Sequence, residues 1–112
     1  MKAEIAKIWV DALRSGEYGQ TRNWLKMDND FCCLGLLCEI SKLGEWQGES
    51  VYRKSYLGDN RRLPKEIKKW SGIRTNMAQL SKVRHNNLAD LNDNGKTFLE
   101  IADIIEANYD IL

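Results

Sequence analysis

An α+β domain of about four helices packed on a small antiparallel sheet is the fold class predicted, and three features of the 112-residue chain predict it. Amphipathic helical repeats stand near both ends. Between them lies a short segment apolar on nearly every side. Residues 17–30 alternate with period two, which suits an extended strand rather than a helix.

The first helix follows from Ile5, Ile8, Trp9, Ala12 and Leu13, which fall at i, i+3, i+4, i+7 and i+8 and make one apolar face. Gly16 stands where a C-terminal glycine ends a helix, and Trp9 is assigned to the core. In residues 17–30, Tyr18, Gln20, Arg22 and Trp24 alternate with Gly19, Thr21 and Asn23. One face of such a strand carries a phenol, an amide, a guanidinium and an indole, groups able to stack on a base or hold a phosphate. The competing reading is an edge strand whose two aromatics pack on the core.

Asp28, Asn29 and Asp30 offer a cap for a second helix starting at Phe31. Cys33, Leu36, Leu37 and Ile40 mark one face of it, widened by Leu34, Cys38 and Ser41. Such breadth predicts a central, buried helix. Gly35 in its interior costs about 1 kcal/mol against alanine, so another part of the chain is expected to approach closely there. Gly44 is expected to end it. Residues 45–60 read as a long loop with a short strand within 51–57. Leu63-Pro64 opens a third helix, with Pro64 at its first position; Ile67 and Trp70 face inward, and Lys65, Lys68 and Lys69 point elsewhere. Residues 73–87 are polar and irregular, anchored by Met77, Leu80 and Val83. Residues 88–95 read as a turn in which Asn92 and Asp93 bond the backbone. Thr97 and Glu100 then form a capping box for the last helix, whose stripe is Phe98, Ile101, Ala102, Ile105 and Tyr109.

The chain is expected to form one domain over residues 1–112. Its 43% hydrophobic and 29% charged content is ordinary for a globular protein. No apolar run approaches the ~20 residues that cross a bilayer, and the charged helical start does not resemble a signal peptide. A cytoplasmic location without membrane contact is therefore expected. Cys32, Cys33 and Cys38 lie in an apolar run and read as buried thiols. Their spacing is not a zinc pair, and His85 has no ligand-spaced partner. No metal and no cofactor are expected. Asp90, Asn92 and Asn94 with Gly95 imitate the start of a calcium loop, but the twelfth position is Ile101 rather than glutamate.

The net charge of +1 hides an asymmetry. Residues 52–88 hold ten Lys/Arg against Asp59 and Glu66, a balance of +8. Residues 89–112 balance at −5 and residues 1–51 at −2. A basic middle between acidic ends can attract an anion, or the regions can neutralise one another across the fold. A nucleic-acid partner is disfavoured by the modest net charge and the acidic last helix. A small anionic ligand needs only two or three of the cations. None of the established nucleophile, phosphate-loop, zinc-protease or dinucleotide motifs is present, so a binding role is preferred over catalysis.

The chain resembles a family of short phage and prophage proteins, mostly of unassigned function. The resemblance rests on Trp9-Val10-Asp11-Ala12-Leu13-Arg14-Ser15-Gly16-Glu17-Tyr18 with Gln20, on Phe31-Cys32-Cys33-Leu34-Gly35-Leu36-Leu37-Cys38, and on Tyr56-Leu57, Leu63-Pro64 and Trp70. It ends with Leu88-Ala89-Asp90-Leu91-Asn92-Asp93 and Gly95, then Phe98 and Glu100-Ile101-Ala102-Asp103-Ile104-Ile105-Glu106. Where such proteins often carry glycines after Gln20, this one has Thr21-Arg22-Asn23-Trp24. The resemblance implies a phage accessory protein acting in the bacterial cytoplasm and implies no reaction. By analogy of context, the expected role is a non-enzymatic binder that sequesters a small anionic nucleotide signal of host antiviral defence. Tyr18, Gln20, Arg22 and Trp24 would stack and hold phosphate, Asn92 and Asp93 would bond ribose or base, and Arg53, Arg61 or Arg62 would close the pocket. The alternatives are an inhibitor that docks on a host enzyme or other defence protein, and a small hydrolase of the same nucleotides. Self-association into a homo-oligomer is compatible with each.

Overall fold

The helical scaffold follows the apolar repeats, except that Ile8 of the expected first face is exposed and Ala6 and Val10 are buried instead. A computed structural model describes residues 1–48 and 53–112. Helix α1 (Ala3–Arg14) buries Ala6, Trp9, Val10 and Leu13 along helix α5 (Phe98–Asn108) and helix α2 (Cys33–Ser41). The Trp9 indole N–H donates to the Cys33 carbonyl at 2.9 Å, so burying the ring leaves no polar atom unpaired. In α5 the Thr97 hydroxyl accepts from the Glu100 N–H while the Glu100 carboxylate accepts from the Thr97 N–H, both at 3.2 Å. This capping box matches the one expected. A single 3₁₀ turn, Tyr109–Ile111, continues from α5.

Helix α2 is the centre of the core, with every residue from Cys33 to Cys38 buried. Its cap differs from expectation. Cys32, not the Asp28–Asn29–Asp30 run, precedes the first turn, and its sulfur accepts from the Gly35 N–H at 3.3 Å. The acidic run instead enters a strand, Asp30–Phe31. The helix also ends earlier than Gly44: Lys42 takes the left-handed conformation at φ +56°. Gly44 has another task, since a side chain there would overlap Leu57, and its N–H donates to the Tyr56 hydroxyl at 2.7 Å. Gly35 does mark a close approach. A methyl at that position would overlap the Leu25 carbonyl.

The strands are short. β1 (Gly19–Gln20) pairs in parallel with β3 (Asp30–Phe31), and β2 (Lys26–Met27) pairs antiparallel with β3. The α+β class expected is present, and this small sheet is mixed, adding one parallel pair to the antiparallel pairing expected. A second antiparallel pair joins β4 (Trp46–Gln47) to β5 (Ser55–Tyr56), and a bridge between Lys26 and Lys54 links the two. The expected strand within 51–57 is present as β5; Val51 and Tyr52 lie outside the described residues. The long strand inferred from the Tyr18, Gln20, Arg22 and Trp24 alternation breaks after Gln20. Thr21 and Leu25 are buried, Leu25 sits on Gly35, and Asn23 adopts φ +72°. The chain bends to seat Leu25 in the core, and that scatters the supposed face.

Helix α3 (Lys65–Ser71) starts after Pro64, which caps it from just outside, and stops at Gly72 with φ +80°. Residues 88–93, expected as a turn, form helix α4 (Leu88–Asp93). Asn87 caps it, its side-chain oxygen accepting from the Asp90 N–H at 2.8 Å, so α4 carries its own start signal. Among the described residues no helix is long and apolar enough to cross a membrane.

Candidate functional site

Asn92 is the hub around which the expected site residues divide. It is wholly buried on α4. Its side-chain oxygen accepts from the Gln20 amide at 2.8 Å and the Cys33 N–H at 3.1 Å. Its amide donates to the Thr21 carbonyl at 2.9 Å and to Asp93 at 3.2 Å. Gln20 also donates to the Lys96 carbonyl at 2.8 Å and accepts from the Phe98 N–H at 3.2 Å. Gln20 and Asn92 thus place their polar groups within the protein, where they tie β1, α2, α4 and α5 together. Tyr18 is half-buried and meets the Phe31 ring edge-on, with centroids 6.0 Å apart. Arg22 is exposed and lies beside Gly95. These four do not form one pocket.

Of the others, Arg61, Arg62 and Asp93 meet at a cleft of about 380 Å³, lined also by Asn23, Asp59, Asn60, Met77, Ala89 and Asp90, while Trp24 and Arg53 stand outside its lining. Asp93 reaches it from the end of α4, where its Oδ1 accepts from the Asn23 N–H at 2.8 Å. That bond holds Asn23 in its left-handed conformation, which asparagine tolerates better than most residues. Arg61 and Arg62 come from the segment before α3. Trp24 stands beside them: the guanidinium carbons of Arg53 and Arg61 lie 5.0 and 5.3 Å from its ring centroid, inside cation–π range. Arg61 therefore belongs both to the aromatic platform and to the cleft.

Asp90 lines the same cleft, one helical turn before Asp93. Its Oδ2 meets His85 Nδ1 at 2.7 Å and the Asn87 amide at 3.1 Å. His85 itself sits at φ +67°, and Ala78, next to the lining residue Met77, at φ +56°. Three non-glycine residues in strained conformations (Asn23, Ala78 and His85) thus stand at or next to one cleft. Such strain costs of order 1–3 kcal/mol each and is characteristic of functional sites.

The cysteines stand apart from this chemistry. Burial pushes the Cys32 thiol up to about 12 and raises Cys33 and Cys38 well above their ordinary value of 9.0. All three are protonated at neutral pH and are poor nucleophiles.

Residues 1–109 match a domain family of unknown function (DUF8296). The chain belongs to this family. No curated protein and no solved structure matches it. Because the family match spans nearly the whole chain, scaffold and cleft fall within the same family unit.

Sequence reasoning missed Asn23, Asp59, Asn60, Met77, Ala89 and Asp90 as lining residues. Asp90 was visible as a chemical group but was assigned to a turn. An Asn-Leu-Ala-Asp run, read as a cap with its third residue onward, would have placed it in the first turn of a helix. Asn23 and Asn60 carried no signal, since each is brought in by backbone bends that only the packing of Leu25 explains. The Leu25 N–H donates to the carbonyl of Asn60 itself at 2.8 Å.

Proposed function

We propose that the protein binds a small anionic nucleotide in the Arg61–Arg62 cleft without turning it over, and acts as a phage accessory protein that sequesters a nucleotide signal of host antiviral defence. The observation that carries the reading is the junction of an aromatic platform with a cleft that two arginines line. Trp24, with two guanidiniums on its ring, offers a surface for a base. Arg61 and Arg62 offer donors for phosphate and form no ion pair among the described residues, although Asp59, Asp90 and Asp93 line the same cleft. Guanidiniums held near carboxylates yet unpaired remain available to a planar anion. The phage context comes from the sequence resemblance.

Native mass spectrometry of the protein purified from bacteria, before and after incubation with cyclic dinucleotides and ADP-ribose derivatives, tests this. A stoichiometric adduct that is released chemically intact on denaturation is the expected result. Bare protein after every incubation would overturn it, and conversion of a nucleotide to product would replace sequestration by hydrolysis.

A second reading has its own support. None of the ten Lys/Arg in residues 52–88 forms an ion pair among the described residues. Such a surface also suits docking on an acidic face of a host enzyme. Co-purification of a single host protein, with no bound nucleotide, would favour it.

A further inference from the structure

The cleft is not simply cationic. Asp59, Asp90 and Asp93 line it together with Arg61 and Arg62, so its formal charge is negative by one. A bare anion such as inorganic phosphate would gain from the guanidiniums and lose to the carboxylates. A carboxylate can only accept hydrogen bonds and a guanidinium can only donate them. An occupant that satisfies both sets must therefore bring acceptors at one end and donors at the other.

The donors have a definite place to go. Asp90 and Asp93 are three residues apart on α4, which puts them on neighbouring turns of one face. Each has one oxygen engaged inside the protein. Asp93 Oδ1 takes the Asn23 N–H and the Asn92 amide, and Asp90 Oδ2 takes His85 and Asn87. The other two oxygens, Asp93 Oδ2 and Asp90 Oδ1, accept no hydrogen bond among the described residues. Two fixed carboxylates, each with one oxygen left to accept, match two neighbouring hydroxyl groups.

Resting on the nucleotide reading above, we infer that the cleft selects a ribonucleotide, with Asp90 and Asp93 accepting the 2′ and 3′ hydroxyls of the ribose while Arg61 and Arg62 hold the phosphates. The carboxylates act as a filter. They exclude bare anions by charge and deoxy sugars by leaving acceptors that the bound ligand would cover without donors. Internal bonding orients both carboxylates before the ligand arrives, so little ordering is required at binding.

Isothermal titration calorimetry with two matched sets of probes tests this: ADP, GDP, CDP, UDP and ADP-ribose, against the 2′,3′-dideoxy forms of the four diphosphates, with sodium pyrophosphate as the bare anion. At least one ribonucleotide is expected to bind, with its dideoxy form weaker by roughly tenfold or more, because a hydroxyl bonded to a carboxylate is lost. Pyrophosphate is expected to bind more weakly still. Asp93→Asn keeps an oxygen for the Asn23 N–H but removes the charge. It should weaken the ribonucleotide by about tenfold and strengthen pyrophosphate, a crossing that general loss of structure cannot produce. Asp59→Asn, which disturbs neither hydroxyl acceptor, should strengthen pyrophosphate and the ribonucleotides together, in contrast to the crossing at Asp93. Dideoxy forms that bind within about threefold of the ribo forms would overturn the ribose inference and leave the nucleotide reading standing. Absence of binding by every nucleotide of both sets would overturn the ribose inference, and the nucleotide reading falls with it if the cyclic dinucleotides also give no adduct.

Discussion

The helical scaffold and the loop-rich middle of this chain treat charge in opposite ways. On the scaffold, Arg14 of α1 reaches across to Asp103 at 2.7 Å and Glu106 at 2.9 Å on α5. Lys7 meets Asp11, and Lys96 meets Glu100. The acidic last helix is largely answered from within its own neighbourhood. The basic middle is not: its ten Lys/Arg have no carboxylate partner among the described residues. Of the two ways to resolve the asymmetry, neutralisation across the fold is therefore the one the geometry does not follow. Of the non-glycine residues at positive φ, Asn23, Ala78 and His85 stand at or next to the cleft, while Asp28, Lys42 and Leu57 lie elsewhere. A scaffold that satisfies its own groups leaves the loops free to keep theirs unsatisfied, which is how rigid frames present binding residues.

If that division holds, the largest loss of stability comes from the scaffold's tightest point. Gly35→Ala would drive a methyl into the Leu25 carbonyl, which is backbone and cannot rotate away. Leu25 also accepts from the Cys32 N–H at 3.1 Å and donates to the Asn60 carbonyl at 2.8 Å, so shifting it disturbs both sides. A loss of about 3 kcal/mol or more is expected, read as a fall in Tm of roughly 10 °C or more by circular dichroism. A Tm within a few degrees of the wild type would mean that the contact yields, and that the core is not rigid there.

Asn92→Ala comes next. It leaves Gln20, the Cys33 N–H and the Thr21 carbonyl without their partner in a site closed to water. About 2–4 kcal/mol is expected from urea unfolding at unchanged m-value. Gln20→Ala should cost less, because Gln20 is only half-buried and water can reach part of what it abandons.

Legibility in the sequence follows the same division. The helical faces of α1, α2 and α5 could be read because burial and the 3.6-residue repeat agree, and Thr97 with Glu100 declared a cap whose partners lie three residues apart. Gly35 was readable as a close approach, but Leu25 as the partner was not, since the contact spans a bend. The Tyr18 to Trp24 alternation misled because Leu25 has a stronger claim on the core than the strand pattern has on its neighbours. Cys32 as a cap was hidden by better capping residues just upstream, which the strand pairing of Asp30 with Gly19 and Met27 withdrew. Of the cleft, Arg61, Arg62 and Asp93 were visible as charged groups. The lining by Asn23 and Asn60 is tertiary, and no local signal encodes it, whereas the Asn87 cap offered a local signal for Asp90.

The buried thiols give the comparison a pH axis. Each is raised in the folded state by burial, so their contribution is fully present below the ordinary value of 9.0 and is lost as pH rises above it. There the unfolded chain releases protons that the folded one retains. For Cys32 the slope is up to roughly 1.4 kcal/mol per pH unit. Urea midpoints should fall between pH 9 and pH 10.5, and a Cys32→Ala, Cys33→Ala, Cys38→Ala triple variant should flatten that fall. A thiol reagent at pH 8 should label none of the three until the protein unfolds; rapid labelling of the native protein would contradict the burial.

On the acid side, hydrogen bonding to Arg14 holds Glu106 below its ordinary 4.5, with the Arg14 charge adding to it. That contribution is present above 4.5 and disappears as pH falls through the folded value. The pair is exposed, so Arg14→Ala should lower Tm only slightly at neutral pH and erase part of the loss on acidification. Equal pH profiles for variant and wild type would show that the cross-helix pair contributes nothing measurable.

The smallest effect on stability, and the most telling one, belongs to the cleft. Arg62→Ala removes a side chain that is exposed and has no ion-pair partner among the described residues. It relieves some repulsion within the basic middle, so Tm should stay within about 1–2 °C of the wild type, the range of surface substitutions. Nucleotide binding should nevertheless weaken by roughly tenfold or more, the loss of one charge-assisted contact. The difference separates the two regions by function rather than by shape. If Arg62→Ala instead unfolds the protein, the middle is part of the scaffold and its unpaired charge has a structural purpose. If it changes neither Tm nor binding, the aromatic platform at Trp24 and Arg61 is the operative part of the site.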